Sequence, residues 1–220
     1  MGIEEYFGEW SKVIPSKELA QIMTWLPKEQ DLCPSIQNVF KAFKVTPYNK
    51  CTQIWIGLDP YPQKGVATGL LFANSSETPE DNISPSLRII RDAMIDYTIP
   101  KYTVKFDLTM ESIAKQGVLL LNGSLSCKIG EIGSHASRWR PFMSQFLRNM
   151  TSTNSGLVIV LFGNYAKSFQ SDILGFQHML IERHPAYYAR RGEEMSPNIF
   201  YEINKLSEQL NGYKIQYYGI

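Results

Sequence analysis

Asp59, Asn122 and His184 each follow a short apolar run, in Asp59-Pro60-Tyr61, Asn122-Gly123-Ser124 and Arg183-His184-Pro185. A carboxylate placed so is half desolvated and suits a base or an electrostatic stabiliser; it also suits a plain turn before a proline. An asparagine offers a donor and an acceptor side by side, the pair that reads an amide-like edge of a base, or it caps a strand end. A histidine can donate to a developing oxyanion, or sit as a satisfied, partly buried ring. Phe72, in Gly69-Leu70-Leu71-Phe72, is either core or a platform for a planar base. Ser84-Pro85-Ser86 and Ser134-His135-Ala136 supply hydroxyls and helix-start amides that fit phosphate oxygens, or they simply cap helices.

These groups are far apart in sequence, so a fold must bring them together. Four apolar runs read as strands: Gln53 to Leu58, Val118 to Leu121, Leu157 to Phe162 and His178 to Ile181. Their continuous rather than alternating hydrophobicity marks strands buried on both faces, as in a parallel sheet covered by helices. Helical periodicity fills the gaps. Ser86 to Tyr97 opens with a serine cap and carries Leu87, Ile90, Met94 and Tyr97 on one stripe. Leu108 to Lys115, Trp139 to Met150, Tyr165 to Ile173, Ser16 to Trp25 and Ser35 to Phe43 are further candidates. A last helix starts at Ser196-Pro197, carries Ile199, Phe200, Ile203, Leu206 and Leu210, and stops at Asn211-Gly212. The pattern predicts an α/β fold, a three-layer α/β/α arrangement around a central four-stranded, mainly parallel sheet. In such sheets the ligand crevice lies outside the carboxyl ends of the strands, where Asp59, Asn122 and His184 would converge.

Composition narrows the function. The 220 residues are 44% hydrophobic and 20% charged with a net charge of +1, which excludes a uniformly basic nucleic-acid coat. Local basic patches remain: Arg183 with Arg190 and Arg191, and Lys128 with Arg138 and Arg140. No apolar run reaches the ~20 residues of a membrane span. The acidic opening Met1-Gly2-Ile3-Glu4-Glu5 lacks the order of a secretory leader. Cys33, Cys51 and Cys127 are odd in number and widely spaced, which favours a reducing, intracellular compartment. With three histidines and no close His/Cys/Asp pattern, no metal and no cofactor are expected. No repeat or linker divides the chain, so residues 1–220 are expected to form one domain, and a monomer. The residues alone describe a pocket for a planar, amide-bearing ligand beside a place for anions.

In order and spacing these segments resemble the uracil-DNA glycosylases. Gly57-Leu58-Asp59-Pro60-Tyr61-Pro62 is similar to that family's G-Q-D-P-Y-H, and Gly69-Leu70-Leu71-Phe72 to its G-L-x-F. Leu119-Leu120-Leu121-Asn122, continuing through Leu125, Ser134-His135 and Trp139, resembles its L-L-L-N segment. Leu157 to Gly163 resembles its strand ending in W-G, and His184-Pro185 the start of its H-P-S-P-L-S loop. The resemblance implies excision of uracil from DNA, leaving an abasic site, without cofactor. Asp59 would orient the attacking water and stabilise the sugar cation, and His184 would stabilise charge on the uracil O2. Tyr61 would exclude a C5 methyl group, which separates uracil from other damaged bases. Phe72 would stack on uracil, Asn122 would bind its O4 and N3–H edge, and the Leu58 amide a uracil oxygen. Ser86 and Ser134 would contact phosphates. The implied partners are uracil-containing DNA, DNA-mimicking protein inhibitors and replication proteins. The setting would be the cytoplasm of a bacterium, or the nucleus or viral factory of a eukaryotic or viral host.

The sequence departs from that pattern at Leu58 and Pro62, and in His184-Pro185-Ala186-Tyr187-Tyr188-Ala189, which lacks both serines and the leucine. Pro62, Leu125-Ser126-Cys127-Lys128 and His184-Pro185-Ala186 look more like poxvirus-type members, which double as processivity components. That keeps a non-catalytic DNA- or partner-binding module in view. Tyr187 or Tyr188 falls where the family places its duplex-entering leucine, and Arg190 and Arg191 could replace the missing serine contacts; alternatively the tyrosines pack the loop and the arginines form a solvated face.

Overall fold

The computed structural model describes residues 2–95, 104–175 and 177–219. In chain order, α1 (Ile3–Phe7), α2 (Ser16–Met23), β1 (Leu32–Cys33) and α3 (Lys41–Val45) precede β2 (Gln53–Gly57). Next come α4 (Pro85–Met94), α5 (Glu111–Lys115), β3 (Val118–Asn122), β4 (Cys127–Lys128) and α6 (Ala136–Thr153). The chain ends with β5 (Val158–Phe162), α7 (Gly163–Lys167), β6 (His178–Glu182), α8 (Pro185–Arg191) and α9 (Asn198–Asn211).

The central sheet has the order β3-β2-β5-β6, and every pairing in it is parallel. Side chains alternate across a strand, so each apolar run feeds two cores. Ile54, Ile56, Leu119, Leu121, Ile159 and Leu161 pack with α2, α3 and α6 on one face. Trp55, Val118, Leu120, Val158, Val160 and Phe162 pack with α4, α5 and α9 on the other. Burial on both faces is the reason these strands read as unbroken hydrophobic runs. The edge strand β6 is only half covered, with Ile181 exposed.

Several sequence expectations shift. The serine cap expected at Ser86 is corrected: α4 begins at Pro85 with Ser84 at the cap position and no side-chain cap bond. Ser84 is engaged instead with Asn74, whose amide donates to its hydroxyl and whose carbonyl oxygen accepts from its N–H, both at 2.8 Å. Tyr97 lies outside the described residues. The helix expected over Ser35 to Phe43 splits into a 3-10 turn at Ile36–Asn38 and α3, and that over Tyr165 to Ile173 into α7 and a turn at Gln170–Asp172. The segment read as a loop after His184 is α8, started by a proline in its first turn and ended by Gly192 at φ 65°. The antiparallel pair β1-β4 is too short to show a period, and no expectation anticipated it.

Candidate active site

Because the sheet is wholly parallel, the carboxyl ends of all four strands lie along one edge. There a cavity of about 560 Å³ opens, lined by Leu58, Asp59, Tyr61, Phe72, Ser86, Asn122, His184 and Arg190 among others. Eight of the residues singled out from sequence thus share one pocket. Ser134, Tyr187, Tyr188 and Arg191 do not line it.

Asn122 is the last residue of β3 and pairs in register with Gly57, the last of β2. A methyl group at Gly57 would lie 2.5 Å from the Leu71 Cδ1 and 3.1 Å from the Asn122 Oδ1, so glycine gives the amide its room. The Asn122 side chain is buried and makes no hydrogen bond with the described residues. Its amide opens onto the cavity, where a planar ligand edge can reach both its donor and its acceptor.

Asp59 lies on the loop after β2, braced from below by two buried thiols. Cys127 donates to the Pro60 carbonyl at 3.5 Å and Cys33 to the Pro62 carbonyl at 3.6 Å. The two cysteines are cross-strand partners of β1 and β4, which explains what that small sheet does. Burial pushes the Asp59 carboxyl above its ordinary value, and the N–H of Gly133, donating to it, counteracts that. The Leu58 carbonyl accepts from the Ser124 N–H at 2.9 Å, tying this loop to the one after β3.

His184 caps α8. Its Nδ1 accepts from the Ala186 N–H at 3.2 Å, so a neutral ring carries its proton on Nε2. Burial, with the Arg190 charge adding to it, holds the imidazole down at about 4. At neutral pH the ring is an uncharged Nε2–H donor. Phe72 stands edge-on to this ring, with centroids 5.6 Å apart, and edge-on to Phe162 at 5.2 Å. Its backbone sits at φ 62°, a conformation that a bulky residue adopts only at a cost of ~1–3 kcal/mol. Tyr61 holds it there: the phenol donates to the Phe72 carbonyl at 2.9 Å.

The outer groups divide. Ser86, in the first turn of α4, lines the pocket but is buried. The Ser134 hydroxyl accepts from the Lys128 N–H at 2.8 Å and so shapes its own loop. Of the two tyrosines expected at the duplex-entering position, Tyr188 is half-buried. Its phenol donates to Glu182 at 2.8 Å and its ring packs against the core, because α8 turns that face inward. The guanidinium groups of Arg183 and Arg191 lie over the Tyr187 ring, 4.7 and 5.4 Å from its centroid. Arg191 pairs with Glu193 at 2.5 Å.

Sequence reading missed Gly163, Asn164 and Tyr165, which line the pocket after β5. The strand-end rule that found the other three corners applies equally to this one. It also missed Ile132, which carries no periodic signal. Among the described residues no group of three or more His, Cys, Asp or Glu is arranged to hold a metal.

No protein-family profile matches the chain. Individual proteins do. It is 31% identical over 215 residues to uracil-DNA glycosylase 1 of Listeria innocua, covering 94% of this chain and 93% of that one. It is 36% identical over 162 residues to uracil-DNA glycosylase of Campylobacter jejuni, covering 72% and 68%. The crystal structure of mimivirus uracil-DNA glycosylase superposes with a TM-score of 0.77 at 20% identity, covering 98% of this chain and 86% of that one, a likeness of fold. By its similarity to these relatives over most of its length, the chain belongs to the uracil-DNA glycosylase family.

Proposed function

We propose that this chain extrudes deoxyuridine from DNA and hydrolyses its N-glycosidic bond, releasing uracil and leaving an abasic site, with residues 1–220 working as one unit. The observation that carries this reading is the pairing of a carboxylate, Asp59, with a neutral Nε2–H donor, His184, in one pocket that also holds an unpaired amide. The extruded uracil lies against Phe72, with its O4 and N3–H edge on the Asn122 amide. Tyr61, fixed by its bond to Phe72, fills the space a C5 methyl group would need.

The C1′–N1 bond breaks with its electron pair going to the base. The negative charge collects on O2 and is met by the His184 Nε2–H. A neutral donor suits this step, since a charged imidazolium would cost more to bury. The sugar becomes cationic and is stabilised by the Asp59 carboxylate. A water oxygen then adds to C1′, and its proton passes to Asp59 or to solvent. Arg190 at the pocket rim and the first turn of α4 meet the flanking phosphates. The same rim is the surface a DNA-mimicking inhibitor would cover.

The test is incubation with a uracil-containing oligonucleotide in the presence of a chelator, followed by alkali. Strand breaks at the uracil position, with free uracil in the supernatant, are expected. An intact strand and bound DNA would leave a non-catalytic binding module.

A further inference from the structure

Ile132 is 69% exposed, the most exposed large apolar side chain among the described residues, and the only one in that exposed set that lines the pocket. It stands between Gly130 at φ 79° and Gly133 at φ 73°, which turn the chain sharply on either side of it. The loop is held at several points. Ile129 N–H donates to the Asp31 carbonyl at 2.8 Å, Gly130 N–H to the Pro62 carbonyl at 2.9 Å, and Glu131 N–H to the Lys128 carbonyl at 3.1 Å. Gly133 N–H donates to the Asp59 carboxylate. An aliphatic side chain is therefore kept in water on a braced loop, in fixed relation to the group that faces the sugar.

We propose that Ile132 enters the DNA stack beside the extruded nucleotide and props the duplex open; this rests on the glycosylase reading above. Side chains that separate base steps are apolar wedges of this kind, and a pre-formed loop presents one at little ordering cost. The tyrosines of α8 are otherwise engaged, Tyr188 with Glu182 and the core, Tyr187 with the guanidinium groups of Arg183 and Arg191 over its ring. The binding partner of this side chain is thus double-stranded DNA at the uracil step, and single strands depend on it less.

The experiment compares single-turnover uracil release from duplex and from single-stranded oligonucleotides for the unaltered protein, Ile132→Ala and Ile132→Leu. Ile132→Ala is expected to lose roughly 10-fold or more on duplex, as removal of a wedge against base stacking implies, and markedly less on single strands. Ile132→Leu is expected to recover most of the duplex rate. A 2-aminopurine beside the uracil should brighten on binding less with Ile132→Ala. Equal rates on duplex for the variant and the unaltered protein, or equal losses on both substrates, overturn the proposal. If the unaltered protein releases no uracil even from single strands, it is the glycosylase reading that fails.

Discussion

Gly163 and His184 are in contact across the ends of β5 and β6: a methyl group at Gly163 would lie 2.9 Å from the His184 Cβ. Gly163 also has φ 87°, which a side chain adopts with strain. Gly163→Ala should therefore move the imidazole as well as destabilise the chain, by ~1–3 kcal/mol. A displacement approaching 1 Å can cost as much as ~10² in rate, so single-turnover excision should fall well beyond any change in DNA affinity. A lowered melting temperature with an unchanged rate would mean that His184 is not held by this contact.

Asn122→Asp should lower uracil excision and begin to release cytosine. The carboxyl group that replaces the amide can accept from an exocyclic amine, as the N4 of cytosine requires. Release of both bases is measured from matched oligonucleotides. Unchanged uracil release with no cytosine release would remove Asn122 from the recognition edge.

The sheet and three corners of the pocket were legible in the sequence because each depends on a local pattern. Buried parallel strands are continuous apolar runs, and the residues at their carboxyl ends face the crevice. The features that were not legible depend on contacts between distant segments. Cys33 opposite Cys127 is a register fact of two two-residue strands. Tyr188 is half-buried, held by Glu182 and packed against the second core, contacts that join it to other segments. The Ser134 hydroxyl accepts from the Lys128 N–H six residues away, a bond that no propensity encodes. Ile132 is exposed because of backbone geometry at two glycines, although its type argues for burial.

Asp59→Asn and His184→Leu should each slow the chemical step while leaving DNA binding within a few-fold. Each removes one electrostatic contribution that acts mainly on the transition state, worth roughly 10²–10³ in rate. Single-turnover kinetics and a binding titration separate the two quantities. Equal losses in both would point to ground-state contacts or misfolding.

Stability should depend on pH through His184. Its imidazole is held down at about 4 in the folded chain, against about 6.5 when unfolded. Between these values the unfolded chain binds a proton that the folded chain does not, so stability falls as pH drops from about 6.5 toward 4. The loss is at most ~3 kcal/mol. Asp59, whose carboxyl is raised, acts in the opposite direction and offsets part of it. Urea midpoints at pH 7 and pH 4.5 should therefore differ more for the unaltered protein than for His184→Leu. The same difference in both would mean the ring titrates near its ordinary value.

Arg190 and Arg191 are adjacent in sequence but not equivalent toward DNA. Arg190 lines the pocket and makes no ion pair among the described residues, whereas Arg191 is paired with Glu193 and lies over the Tyr187 ring. Neutralising a phosphate releases counterions, and each such contact contributes about 0.9 to the slope of log affinity against log salt. Arg191 must first leave Glu193, so its net contribution on binding is small. Arg190→Ala should therefore weaken binding to any sequence and reduce the salt slope by roughly one contact. Arg191→Ala should change the slope much less, and Glu193→Gln should strengthen binding by freeing Arg191. Titrations of an abasic-site duplex at several salt concentrations measure all three. Equal slope changes for the two arginine variants would show that the Glu193 pair breaks freely on binding, and no change in either would return both side chains to the solvated surface.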